Sequence, residues 1–208
     1  MDVSSSAQKV ASKKKPLGRP RDPDKEKQVL ASALHLLKQD GFEKFSLAKV
    51  AALSGVARPT IRLRWASKEE LSIATVQKLF DDRTHARDLI ADGRGDAREM
   101  IRLILTDLIS MISEPGVAKV LSSLVAAANY SEPLSQLRKY ILNRRGIALR
   151  GLMEMGIEAG QFPADLDIER ALDALNGPVL YRMLVMNLPM GAADADFIVD
   201  MVLPLKAG

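Results

Sequence analysis

Apolar residues recur every third or fourth position along most of the 208-residue chain. This spacing places them on one face of an α-helix, and Gly- and Pro-containing segments separate the stretches. The pattern predicts an all-α protein of about nine helices. The predicted helices cover approximately residues 22–40, 46–54, 57–65, 67–91, 101–112, 117–130, 133–160, 168–186 and 194–203.

The stretch 46–65 contains the most specific pattern in the chain. Two short helical segments flank a turn at Gly55, where glycine adopts a positive φ at little cost. The small side chain of Ala51 lets the two helices cross closely, and Ile61 supplies an apolar side chain for the core beneath them. This arrangement predicts a helix-turn-helix.

The second helix of this motif has a basic outward face without an acidic residue. A helix with such a face suits a DNA major groove, which lies between two phosphate backbones. An ordinary helical hairpin with a solvated basic face is the alternative. The predicted contacts to bases or phosphates are Arg58, Thr60, Arg62 and Arg64.

Charge is distributed unevenly along the chain. Residues 1–70 contain 15 Lys and Arg against 8 Asp and Glu, whereas the remaining residues contain 15 against 18. The positive charge therefore lies with the helix-turn-helix, as phosphate binding requires. The sequence has no cysteine and no apolar run of the roughly 18 residues that a membrane span needs. We expect a cytoplasmic protein with no membrane partner.

Residues 1–21 have no helical periodicity and end in a basic Gly-Arg-Pro-Arg segment. We expect a disordered arm in which Arg19 and Arg21 follow the DNA backbone or enter the minor groove. A solubilising tail is an equally good interpretation.

Two serines are predicted to cap helices beside the motif. Ser46 precedes its first helix, where a hydroxyl and free backbone N–H groups can also hold a phosphate. Ser67 begins a capping box with Glu70 and brings Lys68 next to the motif. We therefore expect Ser46 and Lys68 to anchor the DNA backbone.

From about Val29 to Leu71 the chain resembles the N-terminal domain of the TetR family of transcriptional regulators. The resemblance rests on the spacing within ALHLLKQDGFEKFSLAKVAALSGVARPTIRLRWASKEEL. Two positions depart from the family pattern. Ala57 stands where the family usually has Ser, which removes a helix cap that Pro59 partly replaces by fixing φ. Arg62 stands where the family usually has Tyr, so the resemblance does not define the operator sequence.

The resemblance implies a DNA-binding domain at residues 22–66 and a helical effector-binding and dimerisation domain at residues 67–208. Apolar, partly flexible side chains in the second domain are candidates for lining a ligand cavity, although plain core packing is the alternative for each. Few aromatic residues and few buried charges favour a lipophilic ligand. The candidates are Met100, Ile104, Met111, Leu121, Leu124, Tyr140 and Met153.

The segment 168–186 is apolar almost all round in its second half, so one face must contact something beyond its own domain. A second subunit, paired with the final helix in a four-helix interface, is the expected partner. Alternatively, Pro178 divides the segment into two buried core helices. The predicted interface residues are Leu172, Leu175, Leu180, Tyr181, Leu184, Phe197, Ile198 and Met201.

No catalytic constellation is visible. His35 lies on the first helix without an acidic partner. His85 follows Asp81 and Asp82, but without further ligands these residues favour a solvated helix face over a metal site. We therefore expect no enzyme activity, no cofactor and no metal. The predicted function is a homodimeric repressor that a small lipophilic ligand releases from a near-palindromic operator. The alternative is an architectural protein that binds DNA without sequence preference or effector.

Overall fold

The computed structural model describes residues 23–82 and 96–203, without the side chains of residues 138 and 140–145. Within these ranges every regular element is helical and no strand occurs, which confirms the all-α prediction. The elements are α1 Pro23–Asp40, α2 Leu47–Ser54, α3 Arg58–Arg64, α4 Lys68–Asp81, α5 Ala97–Ser113, α6 Val117–Ala127, α7 Glu132–Glu158, α8 Ile168–Leu180, a π-helical turn Tyr181–Val185 and α9 Ala192–Val202.

The first three helices share a core because each presents one apolar stripe to the others. Leu37 of α1, Val50 of α2 and Ile61 of α3 are almost completely buried, together with Phe45 from the loop after α1. That loop starts at Gly41, whose φ of 74° ends α1 and whose N–H donates to the Leu37 carbonyl at 3.0 Å. The predicted stop at Asp40-Gly41 is confirmed.

Helix α4 connects the N-terminal helices to the rest of the chain. It packs against both α1 and α7, and Leu71 and Val76 have no exposed surface. Ser67 caps it by accepting a hydrogen bond from the Glu70 N–H at 3.1 Å. The Glu70 carboxylate accepts from the Ala66 N–H at 2.8 Å, one residue earlier than the capping box predicts. The predicted continuation to residue 91 lies partly outside the described residues, because α4 is described only to Asp81.

The end of α1 contacts the turn between α5 and α6. Lys38 forms an ion pair with Glu114 at 3.5 Å, and the Phe42 N–H donates to the Ser123 hydroxyl at 3.4 Å. Gly116, with φ of 81°, lies so close to Lys38 that a Cβ there would be 2.8 Å from the Lys38 Cβ. Helix α6 is therefore packed directly against the N-terminal helices.

A second close approach joins the end of α7 to the start of α5. The ring of Phe162 packs against Gly156 of α7, where it fills the space that a side chain would need. Next to it, Gln161 accepts a hydrogen bond from the Ala97 N–H at 2.9 Å through its Oε1 atom. This bond satisfies one of the free N–H groups at the start of α5.

Charged side chains connect α9 to α5. Arg98 forms an ion pair with Asp200 at 2.5 Å, and Arg102 contacts Asp196 at 3.0 Å. Arg102 also pairs with Glu99 on its own helix. The hydrogen bonds to Glu99 and then to Asp196 raise the pKa of the Arg102 guanidinium above its ordinary value. These pairs join the last helix of the described chain to α5 at the surface.

Pro178 does not divide the 168–186 segment into two buried helices. Helix α8 continues through Pro178 to Leu180, and the backbone then changes to π-helical geometry over Tyr181–Val185. Pro178 lacks the N–H that would donate to the carbonyl four residues earlier, and the helix continues past this missing bond. Only Met183 is buried in the π-helical turn, whereas Tyr181 and Val185 are 60% and 70% exposed. The alternative of two core helices is therefore wrong.

In the described parts of the chain, no single helix is both long and apolar enough to cross a membrane. Only when taken together do α5 and α6 reach the length and apolar composition of a membrane-spanning segment, and the pair is bent by 93°.

Candidate DNA-binding surface

The turn between α2 and α3 has the geometry that its sequence predicts. Gly55 ends α2 with φ of 67°, and the buried Ser54 hydroxyl accepts a hydrogen bond from the Val56 N–H at 3.3 Å. At the other end of α2, the Ser46 hydroxyl accepts from the Lys49 N–H at 3.3 Å. This cap fixes the start of α2 and leaves Ser46 partly exposed.

Helix α3 begins without a side-chain cap. Ala57 precedes it, and no side chain bonds to the first N–H groups. The Thr60 and Ile61 N–H groups both donate to the Ala57 carbonyl, at 2.9 Å and 3.2 Å. Pro59 lies in the first turn, where a fixed φ favours the helix. The loss of a cap expected from the sequence is confirmed.

One buried residue determines how α3 is oriented. Ile61 is 1% exposed and points into the core. Because successive helical residues are separated by roughly 100°, Pro59 and Leu63 each lie about 160° from Ile61, Thr60 and Arg62 about 100°, and Arg58 and Arg64 about 60°. The centre of the outward face is therefore Pro59 and Leu63, and the basic residues lie along its sides.

The four predicted base or phosphate contacts on α3 are all exposed, but they differ in their partners. Arg58 and Arg62 have no ion-pair partner among the described residues. Arg64 forms an ion pair with Glu26 of α1, and its guanidinium lies over the Trp65 ring at 5.2 Å. Arg64 is thus held against its own domain, whereas the side chains of Arg58 and Arg62 are available to a ligand.

Lys68 is anchored beside the motif. Its ammonium lies 4.3 Å from the centre of the Phe42 ring and 3.4 Å from the Phe42 carbonyl oxygen. Lys49 on α2 pairs with Asp40 at 2.6 Å, and this hydrogen bond lowers the pKa of Asp40. The structure places Ser46 at the start of α2 and Lys68 at the start of α4. Their role as backbone anchors stays a prediction.

Sequence reasoning missed Leu63. This side chain is 91% exposed, the most exposed leucine of the described residues. Its position could have been found by counting from Ile61, because a residue two places beyond a buried one lies nearly opposite it on a helix. The prediction named the adjacent residues Arg62 and Arg64 instead, because their charges suit DNA. The predicted contacts Arg19 and Arg21, like His85, lie outside the described residues.

An apolar cavity of about 30 Å³ lies between α4, α6 and α7. Two of the predicted ligand-binding residues, Leu121 and Leu124, line it. Four other predicted residues are buried in the core but do not line the cavity; they are Met100, Ile104, Met111 and Met153. The Tyr140 side chain is not among those that the structure describes. The remaining walls, which the sequence did not single out, are Val76, Val125, Ala128, Leu134 and Leu137.

The predicted dimer-interface residues differ in their burial within one chain. Leu172, Leu175 and Ile198 are at most 7% exposed, so their side chains contribute to the protomer core, and their part in an interface stays a prediction. Leu180 and Leu184 are partly buried. Three of the predicted residues in this region are exposed: Tyr181, Phe197 and Met201. Three further exposed apolar side chains were not predicted: Val185, Met186 and Leu188.

A helix-turn-helix with exposed arginines, joined to a larger helical body, is the architecture of a DNA-binding transcriptional regulator. Residues 29–75 match the family described as bacterial regulatory proteins, tetR family, and residues 90–202 match the family described as tetracyclin repressor-like, C-terminal domain. The chain belongs to the TetR family of transcriptional regulators, as the sequence resemblance implied. Members of this family are generally not enzymes.

Several relatives share most of their length with this chain. An uncharacterized HTH-type transcriptional regulator of Bacillus subtilis, YdeS, is 30% identical over 170 residues, which are 81% of this chain and 82% of YdeS. The fold is similar to a crystal structure of FadR from Bacillus subtilis in complex with stearoyl-CoA, with a TM-score of 0.74, 22% identity and coverage of 86% and 98%. A TetR regulator from Haloarcula marismortui gives a TM-score of 0.70, 17% identity and coverage of 87% and 95%.

Proposed function

We propose that this regulator is a homodimeric repressor that inserts α3 of each protomer into successive major grooves of a near-palindromic operator. The observation on which this proposal rests is the exposed face of α3, on which Arg58 and Arg62 have no ion-pair partner among the described residues. An unpaired guanidinium can form bidentate hydrogen bonds with a guanine edge or a phosphate without first breaking an internal ion pair. Arg64 would have to leave Glu26 to do the same.

The exposed apolar surface of the π-helical turn and α9 supports the dimer. Tyr181, Val185 and Phe197 are each at least 60% exposed in the single chain. An apolar surface of this kind favours burial against a copy of itself about a two-fold axis. A two-fold dimer would place the two α3 helices about 34 to 36 Å apart on the same side of the duplex.

The cavity between α4, α6 and α7 supports a small lipophilic effector. Its walls are apolar, and Val125 at its edge is 46% exposed. At about 30 Å³ it holds little more than a water molecule. Effector sites usually measure roughly 300 to 1,000 Å³, so binding would require the three helices to separate. A lipophilic occupant is also consistent with the stearoyl-CoA bound to FadR.

Helix α6 provides a route from this cavity to the DNA-binding helices. Leu121 and Leu124 line the cavity, whereas Ser123 and Lys119 bond to the end of α1 through Phe42 and Gln39. A ligand that displaces α6 would therefore disturb the contacts that orient the helix-turn-helix. A ligand changes DNA affinity only if it binds the two arrangements with different affinity.

The primary test is footprinting of the full-length protein on the DNA that flanks its own coding region. We expect a protected near-palindrome whose half-sites are one helical turn apart and an affinity at least about 10³-fold above that for random duplex. Binding that is equally strong on random duplex, with only a steep salt dependence, would instead support the architectural alternative.

The dimer is tested with two matched substitutions. Phe197→Asp introduces a charge at a side chain that is 67% exposed, whereas Leu103→Asp does so on α5 at a side chain that is 40% exposed. Neither position is buried, so both variants should fold. We expect Phe197→Asp alone to give monomers in sedimentation velocity and to lose operator binding. A dimer that tolerates Phe197→Asp would place the interface elsewhere.

The effector is tested by DNA release with fatty acids and acyl-CoA thioesters of increasing chain length. Ala128→Val adds two methyl groups at the cavity wall and should raise the concentration needed for release, whereas Ala126→Val on the exposed side of α6 should not. Release by none of these compounds, or an equal response of both variants, would remove the cavity from the mechanism.

The cytoplasmic location of the protein stays a prediction.

A further inference from the structure

The centre of the outward face of α3 is apolar. Leu63 is 91% exposed, compared with 51% for Leu53 and 40% for Leu103. Pro59, one turn earlier, is also exposed on the same side. Thr60 and Arg62 lie on the two flanks of this strip, about 100° from the buried Ile61 by the roughly 3.6 residues per helical turn. The centre of the face that would enter the groove is therefore an apolar strip rather than a charge.

Burying an almost fully exposed leucine side chain in a complex is favourable, because it removes apolar surface from water. Leu63 contributes little to the fold, because almost all of its surface is in contact with solvent. It contributes to DNA binding only if the groove offers it an apolar partner. Among the four bases, the C5-methyl of thymine is the apolar group in the major groove, where the other base-edge groups are hydrogen-bond donors and acceptors.

We propose that Leu63, supported by Pro59, determines operator specificity by packing against thymine methyl groups in each half-site. The inference rests on the proposed insertion of α3 into the major groove. The inference assigns different roles to the apolar centre and to the charged side of the outward face of α3. The strip at the centre selects thymine by apolar contact, and the guanidinium of Arg62 at its edge reaches a guanine or a phosphate. DNA is the occupant because two arginines without an ion-pair partner among the described residues, Arg58 and Arg62, lie along one side of the strip.

The experiment removes the methyl group from the DNA and its partner from the protein. Full-length wild-type protein is first used to enrich duplexes from a randomised pool, which defines the preferred sequence. Each thymine of that sequence is then replaced by deoxyuridine, which lacks only the C5-methyl. Affinities are measured for the wild type, Leu63→Ala and Leu103→Ala, the last being a control at an exposed leucine of α5.

We expect deoxyuridine at one or two positions per half-site to weaken the wild type and Leu103→Ala by roughly three- to fivefold each, the value of one buried methyl-sized group. The same replacement should leave Leu63→Ala unchanged, since the lost contact is already absent. The pool enriched by Leu63→Ala should lose the preference for thymine at those positions and keep its other preferences.

The outcomes separate this inference from the function on which it rests. A preferred sequence whose thymine-to-deoxyuridine penalties are equal in the wild type and Leu63→Ala would overturn the role of Leu63 while leaving operator binding intact. Failure of the wild type to enrich any sequence would overturn the proposed operator and the inference with it. Thermal unfolding of Leu63→Ala should match the wild type, because the side chain is almost fully solvated.

Discussion

The contact between Gly156 and Phe162 leads to a quantitative prediction about stability. A Cβ at Gly156 would lie 2.3 Å and 2.4 Å from two ring carbons of Phe162 and 3.1 Å from the Ala97 side chain. The ring cannot move into solvent, because Phe162 is 2% exposed. Gly151, five residues earlier on the same helix, has no atom within 4 Å of the corresponding position. The two glycines therefore form a matched pair.

Alanine at the two positions should change stability in opposite directions. At Gly151 the substitution adds only helix propensity and should raise the free energy of unfolding by roughly 0.5 to 1 kcal/mol. At Gly156 the same gain is opposed by overpacking, for which a clash with a confined ring justifies the upper part of the usual range, roughly 2 to 3 kcal/mol. The net effect of Gly156→Ala should be a loss of about 1 to 2.5 kcal/mol.

The assay is thermal unfolding followed by far-UV circular dichroism, with all variants at one protein concentration because dimerisation couples to stability. For a chain of this size, Gly156→Ala should lower the Tm by roughly 2 to 10 °C, and Gly151→Ala should raise it by roughly 1 to 4 °C. Phe162→Leu in the Gly156→Ala background should recover part of the loss, because a smaller side chain opens the space. Stabilisation by Gly156→Ala, or an equal shift for both glycines, would refute this account of the packing.

Three further predictions concern the DNA-binding domain. Ala57→Ser should supply the missing cap of α3 and raise the free energy of unfolding by about 1 kcal/mol in chemical denaturation. No gain in stability would mean that the first N–H groups of α3 are already satisfied. Arg62→Ala should weaken operator binding by roughly 1 to 3 kcal/mol in a gel-shift titration if it contacts a base, whereas Arg170→Ala on α8 should not; unchanged affinity and sequence preference would exclude Arg62 from recognition. The hydrogen bond from Lys49 lowers the pKa of Asp40, so its stabilisation is present above the ordinary Asp value of 3.8 and is lost as pH falls through the lowered folded value. Asp40→Asn should therefore reduce the loss of stability on acidification, and an unchanged pH profile would contradict this assignment.

Much of the helix-turn-helix was predictable because its determinants are local. Gly55 needs a positive φ, Ser46 and Ser67 cap the helices that follow them, and Ile61 alone determines which side of α3 is buried. Each of these statements depends on residues within one or two turns of each other. The helical pattern of the second domain was predictable for the same reason, since periodicity is also a local property.

The partners of individual side chains were not predictable in this way. Arg64 and Arg62 look equivalent in the sequence, but only Arg64 meets Glu26, which lies 38 positions earlier and reaches it through the packing of α1. The same limit applies to the second domain. The cavity walls come from three helices, so the sequence singled out Leu121 and Leu124 but not Val76 or Leu134.

The proposed dimer surface shows most clearly what the sequence determined and what the tertiary structure decided. The sequence established that segment 168–186 is too apolar for a helix with a single buried face. It could not say which face the protomer core takes, because both faces are apolar. Packing against α5 and the neighbouring helices buries Leu175 and Ile198 and leaves Tyr181 and Phe197 exposed. A helix has one periodicity but several possible neighbours, and only the three-dimensional arrangement selects among them.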